Sequence, residues 1–363
     1  MKFLRELVRV MVAGLMIFSG LIKMNDPVGM GIKMEEYFEV FSSDLSSFFE
    51  VFIPISLQIA VLVIVLEVAL GVALLFNFRM KQTTSLLLGL IVFFTALTFY
   101  SAFFNKVTDC GCFGDAIKLT PWQSFYKDVV LLILSGIIWV NGSMYVPYIN
   151  IPKLDGIMVL VLGVSIYTSV HTINHLPFID FRTYAVGNSI PELMQPSGEL
   201  QYEYVMIKDG KEERLQVYPT DKSYTFKEMI VLNPEVNPKI TDYGVWNDEG
   251  EYTEETFKGK KLFIIVYSIE TAKPEGFVKI NELVTALEST VEAIALTATD
   301  GEIFQQYQEQ VGLSIPFYYA DATVLKTMIR SNPGIFLMQD GVVKGKWHYN
   351  DTPTPDQVSA LLK

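Results

Sequence analysis

The chain has 363 residues, half of them hydrophobic, with a net charge of −12, only two cysteines and a mean hydropathy of +0.32. That hydropathy is high for a soluble domain, and the acid excess argues against nucleic acid as a partner, because phosphate neutralisation needs clustered Lys and Arg. The two properties separate along the chain. Residues 178–363 hold 17 Lys and Arg against 28 Asp and Glu, while residues 1–177 hold 11 against 12. A nearly neutral apolar half therefore precedes an acidic half that reads as a solvated domain.

The apolar half contains five segments to weigh as membrane spans, which need about 20 residues each. The first, residues 7–22, has a basic start (Lys2, Arg5, Arg9) and no small-residue cleavage site, so it reads as an uncleaved anchor. The second covers residues 51–76 and the third residues 85–104. The fourth, residues 129–140, is short and is expected to continue into "NGSMYVPYI"; the fifth covers residues 156–170. Basic residues mark cytoplasmic ends. Lys2, Arg5 and Arg9 stand at the start of span one, Arg79 and Lys81 lie between spans two and three, and Lys153 precedes span five. Asp26, Glu35, Glu36, Glu39, Asp44 and Glu50 occupy the loop between spans one and two, which is expected to face outward. This alternation predicts an inner-membrane protein with a cytoplasmic N-terminus and everything after span five in the periplasm.

Glu67 lies inside span two, and a carboxyl at that depth is a functional candidate by default. A buried Glu that pins helix packing is the competing reading. Matching depths along the spans predicts Thr95 and Ser135 as its hydrogen-bond partners, with Arg9 near the membrane surface and reaching inward. Lys23 and Asp128 are expected at the outer ends of their spans.

Between spans three and four lies "TDCGCFGDAIKLTPWQSF", which contains both cysteines, Cys110 and Cys112. A disulfide there would close a ring of about eleven atoms, too tight for relaxed S–S geometry and therefore easily reduced. It would add little chain-entropy stabilisation. A redox pair on the oxidising side of the membrane is the favoured reading, with Lys127 as a cation that would favour the thiolate. A structural disulfide is one alternative. Another is a Cys₂His₂ metal site completed by His171 and His175, four residues apart near the end of span five.

"RVMVAGLMIFSGLIKMNDPVG", "LEVALGVALL" and "DCGCFGDAIKLTPWQSFYKDVVLL" resemble the DoxX/MauE-like membrane proteins. The resemblance covers residues 1–145 and implies a four-helix membrane bundle, with a fifth span over 146–177 as an addition. It implies a role in making or supporting disulfides in a periplasmic or envelope protein partner. It carries over Cys110, Cys112, Phe113 and Gly114, with Glu67 as a looser match. A membrane quinone is the candidate electron acceptor, although the chain lacks the Cys-x-x-Cys of quinone-linked relatives. Membrane lipid is the other expected partner.

In the acidic half, residues 178–250 read as a small β-rich segment with strands at "YEYVMI" and "RLQVYP". Over residues 251–363 the pattern predicts βαβαβαββα. Strands are expected at "KLFIIVYS", "VEAIALTAT" and "PFYYA", and a hairpin is expected to turn at Asp340-Gly341. Helices are expected at "PEGFVKINELVTALEST", "DGEIFQQYQEQV", "DATVLKTMIRS" (capped by Asp321) and "TPDQVSALLK". This order resembles the thioredoxin fold, so the expected fold class is an α-helical membrane bundle followed by an α/β thioredoxin-like domain. "SIETA", residues 268–272, stands where that fold carries its redox cysteines, and neither is present. Asn332 and Pro333 match its cis-proline loop, a candidate peptide-binding element. His348 reads as a surface histidine. The competing function is a non-catalytic membrane scaffold whose soluble domain binds partner proteins.

Overall fold

A computed structural model describes residues 2–107 and 113–363, so the expected Cys110–Cys112 pairing lies outside the described residues. The chain divides into two compact units, residues 1–181 and 182–363.

The first unit is helical. Among the described residues, five helical segments are long and apolar enough to cross a membrane: Phe3–Asn25, Ser47–Leu75, Met80–Phe104, Pro121–Val140 and Ile151–Asn174. Helix α1 spans Lys2–Asn25 and α2 spans Pro27–Asp44. A 3₁₀ turn, Ser47–Ile55, leads directly into α3 (Ser56–Leu75). Helices α4 (Met80–Phe104), α5 (Pro121–Val140) and α6 (Ile151–Asn174) complete the unit. The α1–α3 packing is tight because glycine lines both helices. A Cβ on Gly20 would lie 2.6 Å from Val68 Cγ2, and one on Gly71 would lie 2.7 Å from Ile17 Cγ1. Rising numbers on α1 meet falling numbers on α3, so the pair is antiparallel.

Two expectations change here. The fourth span starts at Pro121 and does not run on past Val140. Thr120 and Gln123 form a reciprocal capping box around Pro121, which starts the helix two turns before the continuous apolar run. The loop between spans one and two is itself a helix, α2. Asp26 accepts from the Gly29 amide at 2.9 Å, and Met30, Met34 and Tyr37 recur on one buried face. Arg9 does reach inward, where it is 2% exposed and donates to the Leu74 and Leu75 carbonyl oxygens at 2.6 Å. A guanidinium there adds donors to the carbonyls of the last turn of α3, the negative end of the helix dipole.

The second unit is built on sheets. A three-stranded antiparallel sheet, in the order β2-β1-β3, joins β1 (Tyr202–Lys208), β2 (Lys211–Leu215) and β3 (Thr225–Val231). The expected strand at "RLQVYP" is therefore only the end of β2, and the third strand comes from "TFKEMIV".

The larger sheet has the order β10-β9-β6-β7-β8-β4-β5. Its strands are β4 (Trp246–Asn247), β5 (Gly250–Glu251), β6 (Lys260–Val266), β7 (Glu292–Thr297), β8 (Phe317–Tyr319), β9 (Gly334–Gln339) and β10 (Val342–His348). β6, β7 and β8 run parallel, and β9 and β10 are antiparallel. Leu262 to Val266 are all fully buried, the continuous apolar run of a strand covered on both faces. Leu262, Ile264 and Val266 share a core with Phe277, Ile280, Leu283 and Leu287 of helix Phe277–Leu287, whereas the alternate Phe263 meets Phe336 at 6.0 Å.

Local signals set the remaining boundaries. Asp321 accepts from the Thr323 amide at 2.7 Å and starts helix Ala322–Met328. Asp340 and Gly341, at φ 49° and 77°, make the hairpin turn that only positive-φ residues allow. The edge of β10 is covered, because the Gly187 amide donates to Val343 O at 2.8 Å. His348 is 4% exposed rather than on the surface. Its ring lies 4.2 Å from Tyr349, and Nδ1 accepts from the Asn350 amide.

Candidate functional site

Inside the first unit, α1 and α3 bring opposite charges together in the membrane-spanning region. Lys23 Nζ lies 2.5 Å from Glu67 Oε1, with the two side chains 4% and 2% exposed. Lys23 also donates to Ser19 Oγ at 3.1 Å and stands 4.8 Å above the Phe94 ring. Ser19 donates to Glu67 Oε2 at 3.3 Å, so each carboxylate oxygen has a donor. The expected partners of Glu67 do not fit. Thr95 donates to Ile91 O in its own helix, and Ser135 Oγ is buried without a partner. Gly20 explains the difference, since its missing side chain lets α1 lie against Glu67 Cβ.

A second pair stands on α5. Lys127 Nζ is 2.5 Å from Asp128 Oδ1, and Thr98 of α4 donates to Asp128 Oδ2 at 3.0 Å. Asp128 is therefore buried in the second turn of α5 rather than placed at a span's outer end. Both pairs line one cavity of about 30 Å3, together with Ser19, Tyr37, Thr98 and Phe94. Its remaining wall includes Met16, Met30, Met34 and Leu131.

The described flanks of the cysteine segment are tied to the same helices. Before it, Ser101 Oγ donates to the carbonyl oxygens of Lys106 and Val107 and pairs with Tyr37 Oη at 3.2 Å. Val107 is buried with Met30, Met34 and Tyr37. After it, the buried Phe113 packs on Phe18 at 5.9 Å beneath Lys127 Nζ, 5.4 Å above its ring. Lys106 and Tyr100 also clamp Asp44 at the end of α2, and hydrogen bonds from first one and then the other hold its carboxyl below the usual carboxylate range.

Of the sequence-derived candidates, Glu67 and Lys127 line the same cavity. Sequence reasoning did not pair Lys23 with Glu67, and it did not connect Asp128, Thr98 or Tyr37 to either. The available signal was the pair of small residues, Gly20 and Gly71, that draws α1 onto α3. His171 and His175 do lie side by side, with ring centroids 4.4 Å apart and the rings tilted by 31°. Among the described residues, no group of three or more His, Cys, Asp or Glu side chains could hold a metal ion.

Asn332 and Pro333 belong to the second unit. Their peptide bond is cis, and Asn332 is 6% exposed. The Asn332 side-chain amide donates to Ser268 O at 2.6 Å and to Thr271 Oγ1 at 2.9 Å, while its backbone carbonyl accepts from the Lys273 amide. The "SIETA" loop is thus closed by the neighbouring turn. Asn332→Ala is expected to lower stability by about 0.5–1.5 kcal/mol, because it removes the side-chain bonds to Ser268 O and Thr271 Oγ1 while the Ala272 amide still satisfies Ser268 O. Chemical denaturation of the full chain measures this, and an unchanged midpoint would show that the contact contributes nothing.

These features define a multi-pass membrane protein with one buried and one partly buried ion pair around a small cavity of mixed lining, and a sheet-containing C-terminal unit. Its apolar helices fit contact with lipid. Residues 1–141 match the family model described as methylamine utilisation protein MauE, so this part of the chain is MauE-like, and the match ends before α6. No curated protein and no solved structure matches the chain.

Proposed function

We propose that this is an inner-membrane thiol–disulfide relay, with a cytoplasmic N-terminus and a periplasmic C-terminal unit, that supports maturation of an envelope protein. In the relay, the Cys110–Cys112 disulfide accepts two electrons from a partner dithiol through a mixed disulfide. The partner becomes oxidised, and Cys110 and Cys112 become thiols. A membrane quinone then takes the two electrons and two protons and restores the disulfide.

One observation carries this reading. Both described flanks of the cysteine segment are fastened to the cluster, Val107 through Ser101 and Tyr37, and Phe113 under the Lys127 ammonium. A cation beside the motif favours thiolate, the reactive form of cysteine. The similarity to the methylamine utilisation protein MauE over residues 1–141 adds support. The strand order around β6, and the turn at Asn332-Pro333 before β9, support a thioredoxin-like reading of the second unit. In this role the unit holds the partner and carries out no thiol chemistry of its own.

Alkylation and mass analysis of the full chain in cells is expected to find the cysteines interconverting between dithiol and disulfide. Cys110→Ala is expected to leave a mixed disulfide through Cys112. A pair locked in one state would rule out the relay.

A second reading is a non-catalytic scaffold, favoured by the closed "SIETA" loop. The Cys110→Ser/Cys112→Ser double variant separates the two readings. A scaffold keeps its co-purifying partner, with the partner's thiols as oxidised as before. A relay variant leaves those thiols reduced.

A further inference from the structure

We infer that the cavity between the two ion pairs is an internal water site that joins Glu67 and Asp128 into one hydrogen-bond network. This inference concerns the cluster alone and does not require the cysteines to exchange. The cavity measures about 30 Å3, and one water needs roughly 10–15 Å3 together with two to four polar partners. Lys23 and Glu67 contribute a donor and an acceptor from one side, and Thr98 and Asp128 do so from another. Tyr37 and Lys127 add further polar groups to the same lining. Apolar cavities stay dry, whereas the donors and acceptors in this lining, set among apolar side chains, recover the hydrogen bonds that a water gives up on entry. The same water can then hydrogen-bond to both carboxylates, and it links helices that make no direct ion pair with each other.

Two measurements on the full chain in lipid nanodiscs test this inference. In hydroxyl-radical footprinting, water held in the cavity is expected to label Met34 and Tyr37, both 2% exposed, faster than Met80, which is 5% exposed and lies outside the cavity. Thr98→Leu fills the cavity and is expected to bring Met34 down to the Met80 rate. If that variant fails to fold, the wild-type comparison of Met34 with Met80 still decides the question. In infrared difference spectra, the carboxylate band of Glu67, identified by its loss in Glu67→Gln, is expected to shift in Asp128→Asn. Labelling of Met34 and Tyr37 no faster than Met80 would mean a dry cavity, and an unmoved Glu67 band would mean two isolated ion pairs. Either result overturns the inference. The Cys110→Ser/Cys112→Ser variant is expected to give unchanged labelling, so failure here is distinguishable from failure of the relay.

Discussion

Lys23→Met is expected to destabilise the helical unit by about 3–5 kcal/mol, because it leaves the Glu67 carboxylate buried without its counter-charge. The geometry explains why the effect should be large. Both side chains are almost fully buried, at 4% and 2% exposure, and Ser19 alone cannot replace the ammonium. Glu67→Leu is expected to cost a similar amount by stranding Lys23 above the Phe94 ring. The double variant Lys23→Met/Glu67→Leu is expected to recover most of the loss, since a buried ion pair replaced by apolar groups of similar size is often neutral or stabilising. Thermal and denaturant unfolding in detergent micelles provides the double-mutant cycle. A single Lys23→Met variant as stable as the wild type would mean that water or another residue already compensates Glu67.

Gly71→Leu is expected to force α1 away from α3. A Cβ at Gly71 would sit 2.7 Å from Ile17 Cγ1, 3.0 Å from Ile17 N and 3.1 Å from Ala13 O. Two of those atoms are backbone, so no side-chain rotation relieves the clash. Overpacking of this kind costs roughly 1–3 kcal/mol or more. Its consequences extend along the helix pair, because the α1–α3 packing also seats Arg9 on the Leu74 and Leu75 carbonyls and Lys23 on Glu67. Gly89→Leu is the control. Nothing lies within 4 Å of a Cβ at Gly89, and leucine is the better helix former, so that variant is expected to match or exceed wild-type stability. Equal melting temperatures for the two variants would show that close α1–α3 packing is not what holds the ion pair together.

The parts that sequence reasoning reached share a physical basis. Each rests on groups only a few residues apart. The Asp321 cap reads the amide two residues on, and the Asp340-Gly341 turn needs only its own two positive φ angles. The start of α5 was equally local, written in Thr120, Pro121 and Gln123, but hydropathy alone drew attention to the apolar run that follows. Helix α2 was obscured in the same way. Glu35, Glu36 and Glu39 made the segment look like a solvated loop, while Met30, Met34 and Tyr37 carried the helical spacing.

The sequence by itself determined that an apolar, multi-helix half precedes an acidic half. It also determined the order of the longer strands and helices in residues 258–363, because hydropathy and periodicity act along the chain. Only the tertiary structure decided which residue neutralises Glu67, how Asp128 comes to be buried beside Thr98, and why Asn332 closes the "SIETA" loop. Those outcomes depend on the register in which distant elements meet. For α1 and α3 that register is set by where glycine allows two backbones to approach, a property of the helix pair that neither segment carries alone.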